Sequence, residues 1–597
     1  MKKFDFKKIK GPDFVKTLDE KSLRELAKEI REELVEDVSA NGGHLSSNLG
    51  IVEITISLYR SFNFPEDKLL FDVGHQCYTH KLLTGRDLSK LNCYDGPAGF
   101  IKRKESAYDC FEAGHSSTAL SAAEAFAIAR DFNEEKYNVV AIIGDASLAN
   151  GVSLEAFNNI VSRKNKIIIV LNDNNMSISK PVGGLEEVLR NLSPYYKQEV
   201  ESKILIEGDK AKMNLFEFFG VDYIGPVDGH DINALDEAFE KAKKSEKSVI
   251  VHTFTKKGMG YKFAEEDTTG DWHHVDRFDI NTGLPINQHE GKISLSKYMG
   301  ALASETLKNH KNAILITPAM IKGSFLDKAF EENPDRCFDF GISEEHAAIF
   351  AGAITLSNIH PILCMYSTFL QRAYDEISHD CARINADMTI LIDRVGLIGM
   401  TGDTHMGIYD VAFLKSIPNI VISMPSSLGE AKALMELSME KGRGVFAIRY
   451  VGSFQDIKEI SVKENVTFAK WKIIHRGNKK NNAIIAVGPH GRELFEKLLN
   501  EANFDGLLVN AIFQNPLDEN LLKEICSYEN IVVYDAYGTN VGFANSVKNY
   551  LFDNKFTGNA FFFSLPNAFI EHDSLENQEK QFGVSVNQLF DFITKKL

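Results

Sequence analysis

The sequence predicts an α/β protein made of several parallel-sheet domains, and three observations carry that prediction. Short apolar, β-branched runs alternate with longer helical patterns along most of the chain, as in strand–helix–strand units. At 597 residues the chain exceeds what one hydrophobic core supports. Apolar residues make up 44% and charged residues 25%, the balance of a globular protein rather than a disordered one.

The elements follow in order. YNVVAIIGDA (137–146) reads as a buried strand, SLEAFNNIVSR (153–163) as a helix and KIIIVLNDN (166–174) as the next strand. The alternation returns at AILITPAM (313–320), MTILIDRVG (388–396) and NIVISMPSS (419–427), and again at NAIIAVGP (482–489), GLLVNAIF (506–513) and NIVVYDAYG (530–538). Two polar stretches of weak periodicity, 264–295 and 452–466, read as seams and give domains 1–290, 291–462 and 463–597. No short repeat or low-complexity tract suggests a solenoid.

The net charge of −16 argues against a nucleic-acid partner, although a few local arginines can still hold a phosphorylated small molecule. The opening MKKFDFKKIKGPDF is basic without an apolar stretch behind it, unlike a secretory signal. No run approaches the roughly 18 apolar residues that span a bilayer. Seven cysteines without a C-x-x-C pair favour reduced thiols over a disulfide or zinc framework. A cytoplasmic protein with no membrane partner is expected.

Gly144-Asp145 ends one predicted strand and Asn172-Asp173-Asn174 the next. A right-handed crossover sets the carboxyl ends of such strands side by side, where α/β sheets bind ligands. Asp145 and Asn174 then offer oxygens to a hard cation such as Mg²⁺, with the Met176 carbonyl as a third ligand. Taken alone, the same residues are ordinary turn chemistry after strands. Their order and spacing resemble the thiamine-diphosphate motif, with Ala146 in place of its second glycine. Lys257-Gly258-Met259-Gly260-Tyr261 completes no nucleotide fingerprint, and no H-E-x-x-H occurs.

Longer blocks resemble the 1-deoxy-D-xylulose-5-phosphate synthase family in chain order. They are GGHLSSNLGIVEITISLY (42–59), DVGHQCYTHKLLTGR (72–86), AGHSSTALSAAEAFA (113–127), NDNNMSISKPVGG (172–184), FDFGISEEHAAIFAGA (338–353), YSTFLQRAYDEISHD (366–380), LIDRVGLIG (391–399) and LPNAFIEHDS (565–574). The resemblance implies three domains of transketolase type: diphosphate-binding, aminopyrimidine-binding and carboxyl-terminal. It also implies a homodimer with cofactor sites between domains, thiamine diphosphate and Mg²⁺ as cofactors, and decarboxylative condensation of pyruvate with D-glyceraldehyde 3-phosphate. The product, 1-deoxy-D-xylulose 5-phosphate, is a precursor of isoprenoids, thiamine and pyridoxal in that family.

The same resemblance assigns roles. Glu344, which in isolation is a helix-terminal carboxylate, becomes the acid that bonds N1′ of the aminopyrimidine. His75, Gly114-His115-Ser116, Ala146, Ser147, Asn174 and Tyr261 become cofactor contacts, and Phe369 stacks on the pyrimidine. His44, His273 and His405 become proton-handling groups near substrate, with His274 an alternative to His273. Tyr366, Arg372, Arg394 and Arg449 surround the aldehyde phosphate, a task that suits the planar guanidinium. Glu345 replaces the family's Gln. Thr401 stands where the family has Asp, Asp403 where it has Pro, and Val451-Gly452-Ser453 where it has Pro-Arg-Gly. The changes at 401, 403 and 451–453 leave the cofactor assignment intact and bear on the acceptor. A transferase with another acceptor and an inactive cofactor-binding paralogue with a structural or regulatory role are the alternatives; retained Glu344, Asp145 and Asn174 oppose the second.

Overall fold

The computed structural model describes residues 3–174, 182–192, 214–286 and 289–597. The chain forms two compact units, Met1–Gln288 and His289–Leu597.

The amino-terminal unit is built on five parallel strands: β1 (Lys68–Phe71), β2 (Val139–Gly144), β3 (Ile168–Asp173), β4 (Asp222–Asp228) and β5 (Val249–Phe254), in the order β1-β2-β3-β5-β4. The inner strands are apolar on both faces because both are covered. Val140, Ile142, Ile168, Val170, Val249 and Val251 pack with helices Glu20–Asn41, Val52–Ser61 and Ile232–Lys244. Their neighbours Ala141, Ile143, Ile169, Leu171 and Ile250 pack with helices Ala119–Phe132 and Gly151–Ile160. Side chains alternate across a strand, so one run of apolar residues feeds two cores. Capping fixes where helices begin: Asn150 accepts from Val152 N at 3.0 Å, and Asp231 from Asn233 N at 2.9 Å.

The carboxyl-terminal unit contains two larger sheets and a ribbon. Its strands are β6 (Lys292–Ser294), β7 (Ala313–Thr317), β8 (Cys337–Asp339), β9 (His360–Tyr366), β10 (Met388–Asp393), β11 (Ile420–Ser423), β12 (Val445–Arg449), β13 (Phe454–Asp456), β14 (Lys472–Arg476), β15 (Asn482–Ala486), β16 (Leu507–Asn510), β17 (Phe513–Asn515), β18 (Asn530–Thr539) and β19 (Asn559–Leu565). The first sheet runs β17-β11-β12-β10-β9-β7-β8 and the second β14-β16-β15-β18-β19; β6 and β13 form the ribbon. The first is parallel except where β17 meets β11, and the second except where β14 meets β16. The segment read as one strand over 506–513 divides into β16 and β17, which lie in different sheets. One continuous hydrophobic core serves both sheets. The expected seam near 462 lies beside the turn Ile457–Ser461, between β13 and β14.

All seven cysteines are free thiols. No helix among the described residues is long and apolar enough to cross a membrane.

Candidate active-site residues

In the amino-terminal unit, Gly144 of β2 is in register with Asn172 of β3, which brings Asp145 alongside Asp173 and Asn174 at the carboxyl ends. Asp145 starts the short helix Asp145–Leu148 and is buried. Burial, followed by the neighbouring Asp173 carboxylate, pushes its pKa up to about 8. Lys257 acts in the opposite direction, and burial brings that ammonium down to about 8. A buried carboxyl beside a second carboxyl suits a divalent cation, which favours the ionised form. Asn174 is half-buried; Met176 lies outside the described residues. Among the described residues no three His, Cys, Asp or Glu side chains are grouped to hold a metal, so further oxygens would come from amide, backbone, phosphate or water.

The Gly114-His115-Ser116 segment is anchored next to this turn. Ser117 follows it at φ 78° and donates from N to Asp72 at 2.9 Å and from Oγ to the Ser147 carbonyl at 3.0 Å. Ala119 N reaches the other Asp72 oxygen at 3.2 Å. Asp72 therefore ties the segment to the end of β1, and Ser117 ties it to the turn bearing Ala146 and Ser147.

Three of the predicted histidines of this unit, His44, His75 and His273, come together. The His44 ring centroid is 5.3 Å from His75, 5.4 Å from His273 and 4.8 Å from His274, and His75 is 5.2 Å from His273. Burial, with Lys257 adding to it, lowers His75 to about 3 and holds His273 well below the usual imidazole range. Both rings are neutral near pH 7, and each has a buried Nδ1 without a hydrogen-bond partner. His75 Nε2 lies 3.2 Å from Ser47 Oγ. His274 also packs on His44, so both members of the pair reach the cluster. Gly43 and Val275 exchange backbone bonds of 2.9 Å, and Ser46 donates twice to the Trp272 carbonyl, zipping the two histidine loops together. Tyr261 is buried among Phe263, Trp272 and Phe278, with its hydroxyl donated to the Ile280 carbonyl at 2.9 Å. That position anchors the loop bearing His273. Phe100, which the sequence reading missed, packs edge-on against His44 at 5.4 Å. Lys257 was also missed, being noticed only within an incomplete glycine pattern; its burial beside Asp145 comes from the fold.

In the carboxyl-terminal unit, Glu344 is the first residue of helix Glu344–Ile354 and is 4% exposed. Its Oε2 has no hydrogen-bond partner and lies 3.9 Å from Arg372 Nη1. Burial, partly opposed by Arg372, raises the carboxyl to about 7. Tyr366 ends β9 in register with Asp393 of β10, which sets Tyr366 and Arg394 side by side. The Arg394 guanidinium lies 5.4 Å from the Tyr366 ring centroid, and its backbone, at φ 58°, donates to Asp393 Oδ1 at 2.7 Å. Phe369 stacks on Tyr366 at 5.5 Å with 9° between planes, and His405 stands edge-on to Phe369 at 5.7 Å. The strand ends thus gather Tyr366, Phe369, Arg394 and His405, while Arg372 joins Glu344.

Arg449, expected in the cluster around the aldehyde phosphate, is engaged by other partners within the fold. It is fully buried at the end of β12, with Nε and Nη2 donating to Asp410 at 2.7 and 2.9 Å and Nη2 also to the Tyr537 carbonyl at 3.1 Å. Its Nη1 faces the Met424 thioether at 3.8 Å. Contact with a phosphate would use Nη1 or require the pair with Asp410 to open. The divergent Thr401–Asp403 loop packs on the LPNAFIEHDS segment: a Cβ on Gly402 would stand 3.0 Å from His572 N, and one on Gly399 would stand 3.2 Å from the Asp573 carbonyl. The divergent Val451-Gly452-Ser453 run leads into β13, with the Ser453 carbonyl accepting from Leu295 N at 2.9 Å.

Residues 6–208 and 194–255 match the family described as 1-deoxy-D-xylulose-5-phosphate synthase, and residues 291–451 match the pyrimidine-binding domain of transketolase. A 1-deoxy-D-xylulose-5-phosphate synthase of Halalkalibacterium halodurans is 37% identical over 626 residues, covering 99% of each chain. One from Listeria monocytogenes is 39% identical over 591 residues, covering 97% of this chain and 95% of that protein. Among solved structures, the transketolase of Campylobacter jejuni is 17% identical with a TM-score of 0.43, covering 97% of this chain and 100% of that one.

Proposed function

This chain belongs to the 1-deoxy-D-xylulose-5-phosphate synthase family, and from that premise we infer that it condenses pyruvate with D-glyceraldehyde 3-phosphate, releasing CO₂ and 1-deoxy-D-xylulose 5-phosphate. Thiamine diphosphate, held with Mg²⁺, supplies the nucleophilic carbon and the electron sink of this chemistry when bound. Asp145 and Asn174 give the metal oxygen ligands, with Met176 as the assigned third. Gly114, His115, Ser116, Ala146 and Ser147 would line the diphosphate, with His75 a further cofactor contact. Tyr261 keeps its assignment as a cofactor contact, with its hydroxyl fixed at the Ile280 carbonyl.

Glu344 can hold or release a proton at Oε2 and would bond N1′ of the aminopyrimidine there, and Phe369 would offer its ring face to the pyrimidine. A carboxyl poised at about 7 suits proton exchange near neutral pH. His44 and His273, with His274, bond the small carboxylate substrate and move protons; the neutral state of His273 lets its Nδ1 accept or donate according to tautomer. Arg394, Arg372 and Tyr366 would receive the aldehyde phosphate and His405 is assigned to the aldehyde end, while Arg449 would join them only once its buried Nη1 is uncovered from Met424. We assign 1–290 to diphosphate binding, 291–462 to aminopyrimidine binding and 463–597 to the transketolase-type carboxyl-terminal domain; the match over 291–451 supports the second. A homodimer in the cytoplasm is the corresponding assembly and location, the phosphorylated aldehyde being an intracellular compound.

One observation carries the reading: a buried Glu344 whose Oε2 makes no hydrogen bond and whose pKa is raised to about 7. Purified protein given pyruvate, thiamine diphosphate and Mg²⁺ is offered glyceraldehyde and its 3-phosphate side by side, with products identified by mass. The expected result is the phosphorylated ketose with the higher kcat/KM. Preference for the unphosphorylated aldehyde assigns the chain a different acceptor.

A further inference from the structure

His44 and His75 lie on separate loops of the amino-terminal unit, at the start of the short helix Ser46–Gly50 and after β1. Neither loop has a regular ladder to fix it, so something else must set the separation of the two rings. One fully buried side chain bridges them. Asn48 Nδ2 donates to the His44 carbonyl at 2.8 Å and to the His75 carbonyl at 2.7 Å, while its Oδ1 accepts from Tyr78 N at 2.8 Å. Two carbonyl acceptors on one side and an N–H donor on the other fix the amide orientation. Tyr78, also fully buried, closes the ring: its hydroxyl oxygen accepts from His44 N at 3.2 Å. The backbone of His44 is therefore held at both N and O, and that of His75 at O.

Two further details fit a built clamp. Gly43 has φ 142°, and a Cβ there would stand 2.8 Å from the Tyr78 hydroxyl, so the approach of the His44 loop to Tyr78 requires glycine. Asn92 holds the same loop through a 3.2 Å bond to the Gly42 carbonyl.

We propose that Asn48 is a positioning residue of the reaction, with Tyr78 as its counterpart: it sets the spacing of His44 and His75 without touching substrate or cofactor. The proposal rests on the roles assigned above to those two histidines. Its experimental signature differs from that of a packing residue. Asn48→Asp keeps the shape and the acceptor for Tyr78 N but turns both donors into an anion facing two carbonyls.

The test compares Asn48→Asp, Tyr78→Phe, His44→Ala and His75→Ala with the parent in four readouts: thermal midpoint, thiamine diphosphate affinity with Mg²⁺ by calorimetry, steady-state kinetics, and histidine ring NMR signals of the cofactor-free protein. For Asn48→Asp we expect shifted His44 and His75 signals, cofactor affinity weakened about tenfold and kcat lowered about 10–100-fold. The KM for D-glyceraldehyde 3-phosphate should stay within about twofold, because the arginines assigned to it are unchanged. Tyr78→Phe removes only one acceptor and moves each quantity the same way by a smaller amount; it decides the matter should Asn48→Asp not fold. Unchanged ring signals, or cofactor affinity and kcat within about twofold of the parent in a folded variant, overturn the proposal. Shifted rings together with unimpaired His44→Ala and His75→Ala enzymes overturn the roles of the histidines instead.

Discussion

At Glu344, burial separates the folded carboxyl, at about 7, from an ordinary carboxyl at 4.5. Between those values the native state binds more protons than the unfolded state, so this group makes the cofactor-free protein less stable as pH rises from 4.5 to 7. Glu344→Gln removes that slope. The variant should match the parent in this respect near pH 4.5 and exceed it by about 2–4 kcal/mol above pH 7, read from denaturant titrations at each pH. The same variant should retain the cofactor but lose most deuterium exchange at its C2, because a neutral amide cannot exchange a proton with N1′ as a carboxyl does; parent-like exchange would assign the task elsewhere. Arg394→Ala should raise the acceptor KM by about one to two powers of ten, the loss of about 1.5–3 kcal/mol of charge-assisted bonding. Arg449→Ala should instead destabilise the fold by about 3–5 kcal/mol, since Asp410 would stay buried without its cation; its thermal midpoint separates it from Arg394→Ala. Glu344 was legible because it opens a helix inside a recognisable block. The Arg449–Asp410 pair was not, because its members lie 39 positions apart and only the fold brings them together.

At the scale of elements, β2 and β3 were legible because an inner strand covered on both faces is a continuous apolar run, and the turn residues after it survive as a local pattern. The 506–513 run shows the limit of that signal. Leu507–Asn510 and Phe513 belong to one apolar run interrupted only by Asn510, and periodicity says nothing about which sheet receives each piece. A third case is the segment after helix Tyr78–Leu83, which runs past Phe100 with little regular structure. It is held by a buried polar network: the neutral His80 ring lies 2.7 Å through Nε2 from Asp109, whose carboxylate pairs with Arg86, and Lys81 reaches Glu105 at 2.6 Å. Glu105 in turn accepts from Ala98 N at 2.8 Å. Arg86→Ala leaves Asp109 buried with less compensation and should cost about 3–5 kcal/mol. Loosened packing of Phe100 on His44 should accompany that loss and appear as earlier hydrogen exchange across residues 96–110. Exchange unchanged there would mean that the ion pairs do not hold the segment.

Across the whole molecule, buried imidazoles work against the fold in acid. Burial holds His75 at about 3 and both His80 and His360 at about 4, against an ordinary 6.5. Below pH 6.5 the unfolded chain takes up protons that these folded imidazoles refuse, so the stability they contribute falls with pH until their own low values are reached. Glu344 and Asp145, both raised by burial, slope the other way, so the histidine share is read by replacement: His360→Gln should gain stability relative to the parent as pH falls from 6.5 to 4.5 in the cofactor-free protein, read from thermal midpoints. A parent-like pH dependence in that variant would contradict the burial of the His360 ring. The α/β class was readable at this scale because strand and helix periods repeat throughout the chain, whereas the packing of residues 289–597 as one unit was not, since a polar surface turn and a domain linker look alike in composition. The short strand β17 gives that unity a practical edge. It lies antiparallel on β11, a strand of the sheet formed largely by residues 313–449, although β17 itself is drawn from residues 513–515. A gene cut between 462 and 507 would therefore release a fragment whose β11 offers a bare row of backbone donors and acceptors. Such an edge invites pairing with copies of itself, so the excised piece should collect in inclusion bodies, and adding the Phe513–Asn515 peptide stretch back through a short tether should restore it to solution.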